Sequence, residues 1–240
     1  MNYEDFSTLF ARLCQQNNIL PLTKEQIDLF WSFTGHLLTV NQTTNLTAIR
    51  SIPDVVSKHY VDSLMASELI PEGAKVLDLG CGPGFPSIPL SIARPDLTVY
   101  ALDSTDKKIR FLNQSAELLG LNNLKGVSGR AEDPKIRETL GAFDVVVSRA
   151  VARLNILSEL CIPYVKIGGK LIAMKGAKGE EELTEAQNAI KILGGTVKNH
   201  IKQLIVDDER EERCLIEVSK IKETPKNYPR QYSAILKKPL

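Results

Sequence analysis

Lys75-Val76-Leu77-Asp78-Leu79-Gly80-Cys81-Gly82-Pro83-Gly84-Phe85-Pro86 is the stretch whose reading decides the fold. An apolar run ends in an acid, glycines alternate with other residues, and a helical pattern follows over roughly Phe85 to Arg94. This is the order of a buried strand, a tight turn and a helix start. Glycine admits positive φ and lets a ligand approach the backbone with no Cβ in the way. A helix start turns free N–H groups toward such a ligand. A dinucleotide-binding turn reads G-x-G-x-x-G; here Phe85 occupies its third glycine position and the spacing is G-x-G-x-G. Leu97-Thr98-Val99-Tyr100-Ala101-Leu102-Asp103 is a second apolar run ending in an acid. Asp103 lies about 20 residues beyond the glycines, where an α/β nucleotide fold sets a carboxylate on the ribose hydroxyls. Taken alone, Asp103 also reads as a cap for the helix starting at Ser104. Two acid-ended strands around one glycine turn point to a nucleoside site.

Working outward, strands are expected near 75–79, 97–102, 123–127, 143–148 and 168–174, and helices over 85–94, 105–119, 132–139, 153–165 and 178–193. That alternation predicts a parallel sheet covered by helices on both faces. The β-rich segments 196–206 and 212–219 flank the charged run Asp207 to Glu212 and predict an antiparallel hairpin. Five βα units followed by a hairpin is the order of the class I S-adenosylmethionine (SAM) methyltransferase sheet, and the glycine loop resembles the loop of those enzymes. The fold class expected is α/β, a Rossmann-like sheet with a C-terminal hairpin and an N-terminal helical extension.

The first seventy or so residues repeat apolar side chains at helical spacing. Phe6, Leu9, Phe10 and Leu13 share one face, and Ile27, Phe30, Trp31, Leu37 and Leu38 share another. Thr23 with Gln26 has the pattern of a capping box. The segment 41–49, polar and poor in charge, reads as an ordered connector. A third helix is expected from Pro53 to Leu69, with His59 and Asp62 as i,i+3 neighbours able to pair locally. The expected organisation is a helical extension (1–70), a SAM-binding domain (71–219) and a basic tail (220–240).

With 43% hydrophobic and 25% charged residues over 240 positions, the chain has an ordinary globular composition. A net charge of +1 excludes a molecule that is basic as a whole. Positive charge gathers in the tail, where Lys220, Lys222, Lys226, Arg230, Lys237 and Lys238 face the single acid Glu223. The four cysteines, Cys14, Cys81, Cys161 and Cys214, lack metal spacing and read as reduced thiols. No signal peptide and no membrane span is visible, so a cytoplasmic location is expected.

Further site candidates follow the third, fourth and fifth strands. Ser128-Gly129-Arg130-Ala131-Glu132 makes a turn able to reach an adenine, although Glu132 equally suits a plain helix start. Arg149 ends a valine-rich strand, at the edge where open α/β sheets bind ligands. Arg153 follows one turn on, and Lys175 ends the next strand.

These residues together resemble the RsmG (GidB) family of bacterial small-subunit ribosomal RNA methyltransferases over nearly the full length. The resemblance is carried by Asn45-Leu46-Thr47, His59 with Asp62-Ser63-Leu64, Asp78 through Pro86, Asp103-Ser104, Lys107-Lys108, Phe111-Leu112, Arg130-Ala131-Glu132, Ser148 through Ala152, Lys175 and Tyr228-Pro229-Arg230. The chain departs from the family pattern after Arg230, where Gln231 to Ile235 stands in place of a Gly-x-Pro element. The resemblance implies methyl transfer from SAM to N7 of one guanine in the decoding region of 16S ribosomal RNA. The implied cofactor positions are Gly80, Phe85, Asp103, Ser104, Thr105, Ala131, Glu132 and Arg149, to which the loop reading adds Asp78 and Gly82. Arg149 and Lys175 are expected to position the substrate, with Arg149 gripping the SAM carboxylate or a phosphate. Asn45, His59, Arg153, Lys226, Arg230, Lys237 and Lys238 are expected RNA contacts. The partner expected is 16S ribosomal RNA or the small subunit, with no membrane, and no protein partner can be inferred from the sequence.

The chemistry agrees by exclusion. An Asn/Asp-Pro-Pro-aromatic element for exocyclic amines is missing after the fourth strand, where Ser148-Arg149-Ala150-Val151 stands, and no cysteine nucleophile sits there. Guanine N7 carries a free lone pair, so the expected reaction is direct in-line attack with neither general base nor metal. Competing readings are a small-molecule or protein methyltransferase on the same fold, an NAD-dependent oxidoreductase, which Phe85 disfavours, and a non-catalytic RNA-binding module.

Overall fold

A computed structural model of the chain describes residues 1–206 and 209–240, with side chains described outside 199–203, 205, 206 and 209. The N-terminal part is helical: α1 (Tyr3–Gln16), α2 (Lys24–Thr44), then α3 (Ile52–Asp54) running through a π-helical stretch (Val55–Val61) into α4 (Asp62–Leu64). Thereafter come β1 (Lys75–Leu79), α5 (Ser87–Ala93), β2 (Thr98–Asp103), α6 (Asp106–Leu119), β3 (Leu124–Ser128), α7 (Pro134–Leu140) and β4 (Phe143–Arg149). The chain continues through α8 (Leu154–Cys161), β5 (Val165–Lys175), α9 (Gly179–Ile192), β6 (Gly195–Val206), β7 (Glu209–Lys220) and α10 (Tyr232–Lys237).

One seven-stranded sheet results, in the order β3-β2-β1-β4-β5-β7-β6. The first five strands are parallel, and β7 runs antiparallel between β5 and β6. Successive side chains alternate between faces, so Val76, Val145 and Val147 enter one core while Leu77 and Val146 enter the other. Both faces are covered, which is why these strands read as continuous apolar runs. The first core is continuous with Phe6, Phe10, Phe30, Phe33 and Tyr60, so the N-terminal helices share the sheet's core. The second packs α8, α9 and Ile235 of α10. The strand order reverses between β1 and β4, leaving a crevice beyond their carboxyl ends.

The Thr23–Gln26 capping box is present, Gln26 N–H donating to Thr23 Oγ1 and Thr23 N–H to Gln26 Oε1. Several boundaries differ from the sequence reading. Residues 41–44 belong to α2, which ends at Asn45 in a left-handed conformation (φ 49°). Asn41 is buried because its amide caps the exit: Oδ1 accepts from Leu46 N–H and Thr47 N–H, and Nδ2 donates to the Thr47 carbonyl. The expected helix 153–165 stops at Cys161, a 3-10 turn (Ile162–Tyr164) follows, and β5 starts at Val165. In the hairpin, β7 starts at Glu209 rather than 212. Among the described residues only Lys170–Lys175 of β5 pair with β7, across residues 214–219, and the outer part of the hairpin pairs with no third strand and can carry charge. Asp207 and Asp208, part of the expected turn, lie outside the described residues. All four cysteines are buried and unpaired. Among the described residues no helix is long and apolar enough to cross a membrane.

The tail is docked rather than a free basic end. Lys220 is buried and donates to the Ile162 carbonyl. Arg230 forms a fork on Glu159, donating from Nε to Oε1 (2.8 Å) and from Nη2 to Oε2 (2.6 Å), while its backbone N–H donates to Oε1. Glu159 is fully buried on α8. Removing the guanidinium strands a buried carboxylate, which costs about 3–5 kcal/mol at a fully buried pair. Arg230 is a quarter exposed, so Arg230→Met should lower unfolding free energy by about 2–3 kcal/mol. Urea denaturation checks this, and a change within experimental error would make the pair a surface ornament.

Candidate functional site

The loops after β1, β2, β3 and β4 enclose a cavity of about 460 Å³ at the crevice. Its floor is the glycine turn. Gly80 N–H and Cys81 N–H both donate to the Leu102 carbonyl, and Gly82 N–H donates to Asp103 Oδ2 (2.9 Å), folding the turn over the end of β2. Gly80 has φ 78°, and a Cβ there would meet Val151 Cγ2 at 2.2 Å, so backbone conformation and close approach both require glycine. At Gly82 (φ 56°) a Cβ would meet no atom within 4 Å. Asp103 Oδ1 accepts from Thr105 N–H (2.8 Å), so each oxygen holds one backbone donor and keeps a lone pair for a ligand. On the third side lie Ala131, whose carbonyl accepts from Tyr164 Oη, and Glu132, paired with Arg130. Arg130 in turn sits 5.1 Å from the ring centre of Tyr232, a cavity-lining residue of α10.

The fourth side is polar, and its groups are largely paired with one another. Arg149 Nη1 donates to Asp62 Oδ2 (2.7 Å) and the Lys58 carbonyl (2.8 Å), and Nη2 donates to His59 Nδ1 (3.1 Å). His59 Nδ1 is therefore the acceptor and Nε2–H donates to Thr47 Oγ1 (2.9 Å). Burial and the adjacent Arg149 push the imidazole down to about 3, so it is neutral. Its ring stacks on Phe85 at 4.1 Å between centres. Asp62 Oδ1 also accepts from Arg213 Nε (2.8 Å). Beyond Arg149, Ala150 and Val151 lies a second cavity of about 430 Å³, lined also by Asp62, Lys175, Glu182 and Arg213. Ala150 has φ 57°, a left-handed conformation that costs a non-glycine residue free energy and is held by its neighbours where the cavities meet.

Residues 26–211 match the family model described as GidB, rRNA small subunit methyltransferase G. Proteins named Ribosomal RNA small subunit methyltransferase G are similar along nearly their whole length: one of Lachnoclostridium phytofermentans at 45% identity over 92% of each chain, and one of Clostridium kluyveri at 40% over 98% of this chain and 99% of the relative. The chain belongs to this family. Among solved structures, an O-methyltransferase from Bacillus cereus in complex with SAH covers 91% of this chain and all of its own at 17% identity and a TM-score of 0.58. A precorrin-6y C5,15-methyltransferase from Geobacter metallireducens reaches 0.51 at 15% identity. These likenesses show the class I SAM-dependent methyltransferase fold.

As in the expected nucleoside site, Gly80, Gly82, Phe85, Asp103, Ser104, Thr105, Ala131, Glu132 and Arg149 of this GidB-family chain line one cavity, with His59 beside them. Other expected residues lie elsewhere. Asp78 is fully buried beneath the turn, where Oδ2 accepts Ser87 N–H (2.9 Å) at the start of α5. The first turn of α5 thus faces Asp78, not a ligand, and Asp78 shapes the loop instead of lining the cavity. Lys175 lines the second cavity, donating to the Ala152 carbonyl and paired with Glu182 (2.8 Å). Asn45 is exposed at the end of α2, outside both cavities. Arg153 is half exposed and held by Glu185 and Glu181. Arg230 is committed to Glu159, which argues against an RNA contact; Lys226, Lys237 and Lys238 are exposed on the tail. His59 and Asp62 do not pair with each other but share Arg149.

The sequence reading missed Val151 as the atom that excludes a Cβ at Gly80, Arg213 as the second partner of Asp62, and Tyr232 as a lining residue. None has a local signal, since each acts on a residue far away in the chain.

Burial raises the Asp78 carboxyl to about 7, while His59 is lowered to about 3. The two oppose each other in folding linkage. Folded Asp78 holds its proton where the unfolded group has lost it, so its contribution is full below the ordinary carboxylate range and lost as pH rises toward 7. Folded His59 refuses the proton that the unfolded group binds below about 6.5, so its contribution is lost as pH falls toward 3. His59→Gln should expose stability that falls as pH rises from 4.5 to 6.5, and Asp78→Asn stability that rises. Each slope is at most about 1.4 kcal/mol per pH unit. Urea titrations across that window check the opposite signs; equal slopes would contradict the assignment.

Proposed function

We propose that this chain methylates N7 of a guanine in 16S ribosomal RNA, in the decoding region that the family resemblance implies, with SAM as methyl donor. The observation that carries the reading is the pair of neighbouring cavities that share Arg149, Ala150 and Val151 as a common wall, one suited to a nucleoside and one beside it for the acceptor.

The residues present fit SAM. The first cavity has ligand-site size, a turn at Gly82 that presents bare backbone, and a carboxylate, Asp103, with lone pairs free for ribose hydroxyls. Ala131 and Glu132 flank the adenine side in this reading. SAM supplies an electrophilic methyl group on a sulfonium. The chain's part is to bring the acceptor in line with it and keep water out. Arg149, with most of its fork held by Asp62, Lys58 and His59, is a rigid wall shared by both cavities; the engaged fork disfavours it as the main grip on a SAM carboxylate.

Guanine N7 attacks with its own lone pair and loses no proton, so no base is needed. That suits a site whose one imidazole, His59, has both ring nitrogens engaged. Cys81 lines the cavity, but burial beside Asp78 and Asp103 raises its thiol well above the ordinary range, which disfavours a thiolate nucleophile.

The test is methylation of 16S ribosomal RNA, naked and in subunits, from cells lacking this protein, with mass mapping of the product. One added methyl on N7 of a single guanine is expected. A methyl on an exocyclic amine, a ribose or a pyrimidine carbon would overturn the reading. For the cofactor, Asp103→Ala should weaken SAM binding by about 10–100-fold, since hydrogen bonds to a charged group contribute roughly 1.5–3 kcal/mol. Calorimetry on the folded variant checks this, and unchanged affinity would remove Asp103 from the ribose.

A further inference from the structure

The second cavity carries its own chemistry. Lys175, at the end of β5, has an ammonium with three donor protons; one goes to the Ala152 carbonyl and one to Glu182 Oε2. Glu182, in the first turn of α9, also accepts Leu154 N–H on Oε2 (2.8 Å). Among the described residues the hydrogen bonds and ion pairs of Glu182 thus fall on Oε2, leaving Oε1 as an acceptor beside a donor proton of Lys175. Both residues line the cavity of about 430 Å³, which Arg149, Ala150 and Val151 also line, and Met174 and Leu215 add apolar surface.

Resting on the proposed N7 reaction, we infer that this cavity receives the flipped guanine and that the Lys175–Glu182 pair reads its Watson–Crick edge. A base taken out of the stack is read by hydrogen bonds to that edge. Guanine presents O6, an acceptor, next to N1–H, a donor. Lys175 supplies the donor and Glu182 Oε1 the acceptor in that order. Adenine offers a 6-amino donor and an N1 acceptor, which sets donor against donor and acceptor against acceptor. Lys175 is held at Ala152, next to the boundary shared with the nucleoside cavity, so with O6 on Lys175 the adjacent N7 lies on the side of that boundary.

The pair also follows the charge. As the bond from N7 to the methyl carbon forms, the carbon–sulfur bond breaks with its electron pair on sulfur, and positive charge passes to the purine. N1–H becomes more acidic, so its hydrogen bond to the Glu182 carboxylate strengthens in the transition state, which accelerates the step. The charge of Lys175 is balanced by Glu182, so the donor at O6 does not oppose the developing cation.

The test uses the full chain and 16S ribosomal RNA ligated to carry guanine, inosine or 1-methylguanine at the target. Inosine keeps O6 and N1–H; 1-methylguanine loses N1–H and keeps N7. The wild-type protein should methylate guanine and inosine within a few-fold of each other and 1-methylguanine about 10–100-fold more slowly, the range of one good base-edge contact. Glu182→Gln, which retains an acceptor for Leu154 N–H, should lower single-turnover methylation of guanine by a similar factor at unchanged SAM affinity. Glu182→Ala, which opens space for the N1 methyl, should bring the guanine to 1-methylguanine rate ratio near one. An unchanged ratio in Glu182→Ala, or a wild-type enzyme indifferent to N1 methylation, would overturn the base site while leaving N7 transfer standing. A wild-type enzyme that adds no methyl at guanine N7 would overturn the parent reading and the base site with it.

Discussion

Asp62 joins three parts of the molecule. It leaves the N-terminal helical segment, accepts Arg149 from the end of β4 on one oxygen, and accepts Arg213 from β7 on the other. Its side chain is only 10% exposed, as is fitting for a carboxylate with two guanidinium partners. Arg213 is further paired with Glu211, so the two cations in the cluster meet two acids. A buried ion cluster of this kind is poor evidence of net stability, because desolvation offsets its Coulomb energy. Its consequence is geometric. The helical segment cannot shift against the sheet without stranding a charge, so the roof of both cavities is fixed to their floor. The π-helical turn Val55–Val61 immediately precedes Asp62, and such turns, with their i→i+5 bonds, recur at functional sites because they re-aim side chains. Here the turn carries Lys58 and His59, and with Asp62 just beyond it all three meet Arg149, the last residue of a strand some ninety residues further on in the chain.

The same economy governs the glycine loop. Gly80 is glycine because Val151 occupies the space of its Cβ, and Val151 follows Ala150, which is itself left-handed. The loop after β1 and the loop after β4 are therefore fitted to each other across the point where the strand order reverses. A larger residue at position 80 would displace the segment that separates the two cavities, so a packing constraint in one loop sets the shape of the other.

How much of this is legible in the sequence depends on the range over which each feature acts. The strands and helices of the sheet are visible because apolar alternation and glycine punctuation act within a few residues; β1 coincides with its expected span and α6 begins one residue late. The convergence of Gly80, Asp103, Ala131 and Arg149 on one cavity follows from topology, since each lies at or just beyond the carboxyl end of a parallel strand. Errors arise where a polar residue is claimed by a distant partner. Arg230 reads as tail charge, but Glu159, the one charged residue of α8, takes it; an acid among Leu157, Leu160 and Cys161 is the one trace of this in the sequence. Asn41 reads as loop because asparagine favours loops, whereas its amide is turned inward to cap the chain leaving α2. Asp78 reads as a ligand-facing acid because it ends a strand, but β1 carries it under the turn to Ser87.

The hydrogen bonds that are already made bear on what the chain leaves to its substrate. Arg149, His59 and Glu159 hold protein partners, and Asp103 and Glu182 keep acceptor capacity toward the cavities. A site arranged this way loses little to reorganisation when a ligand arrives, because the groups that would swing are tied down. For a nucleophile that carries its own lone pair, alignment is the main barrier term a protein can remove, and well-oriented reactants gain about 7–11 kcal/mol from it. The wall formed by Asp62, His59 and Arg149, largely paired within itself, is therefore suited to a transfer in which the protein holds two molecules still and takes no proton from either.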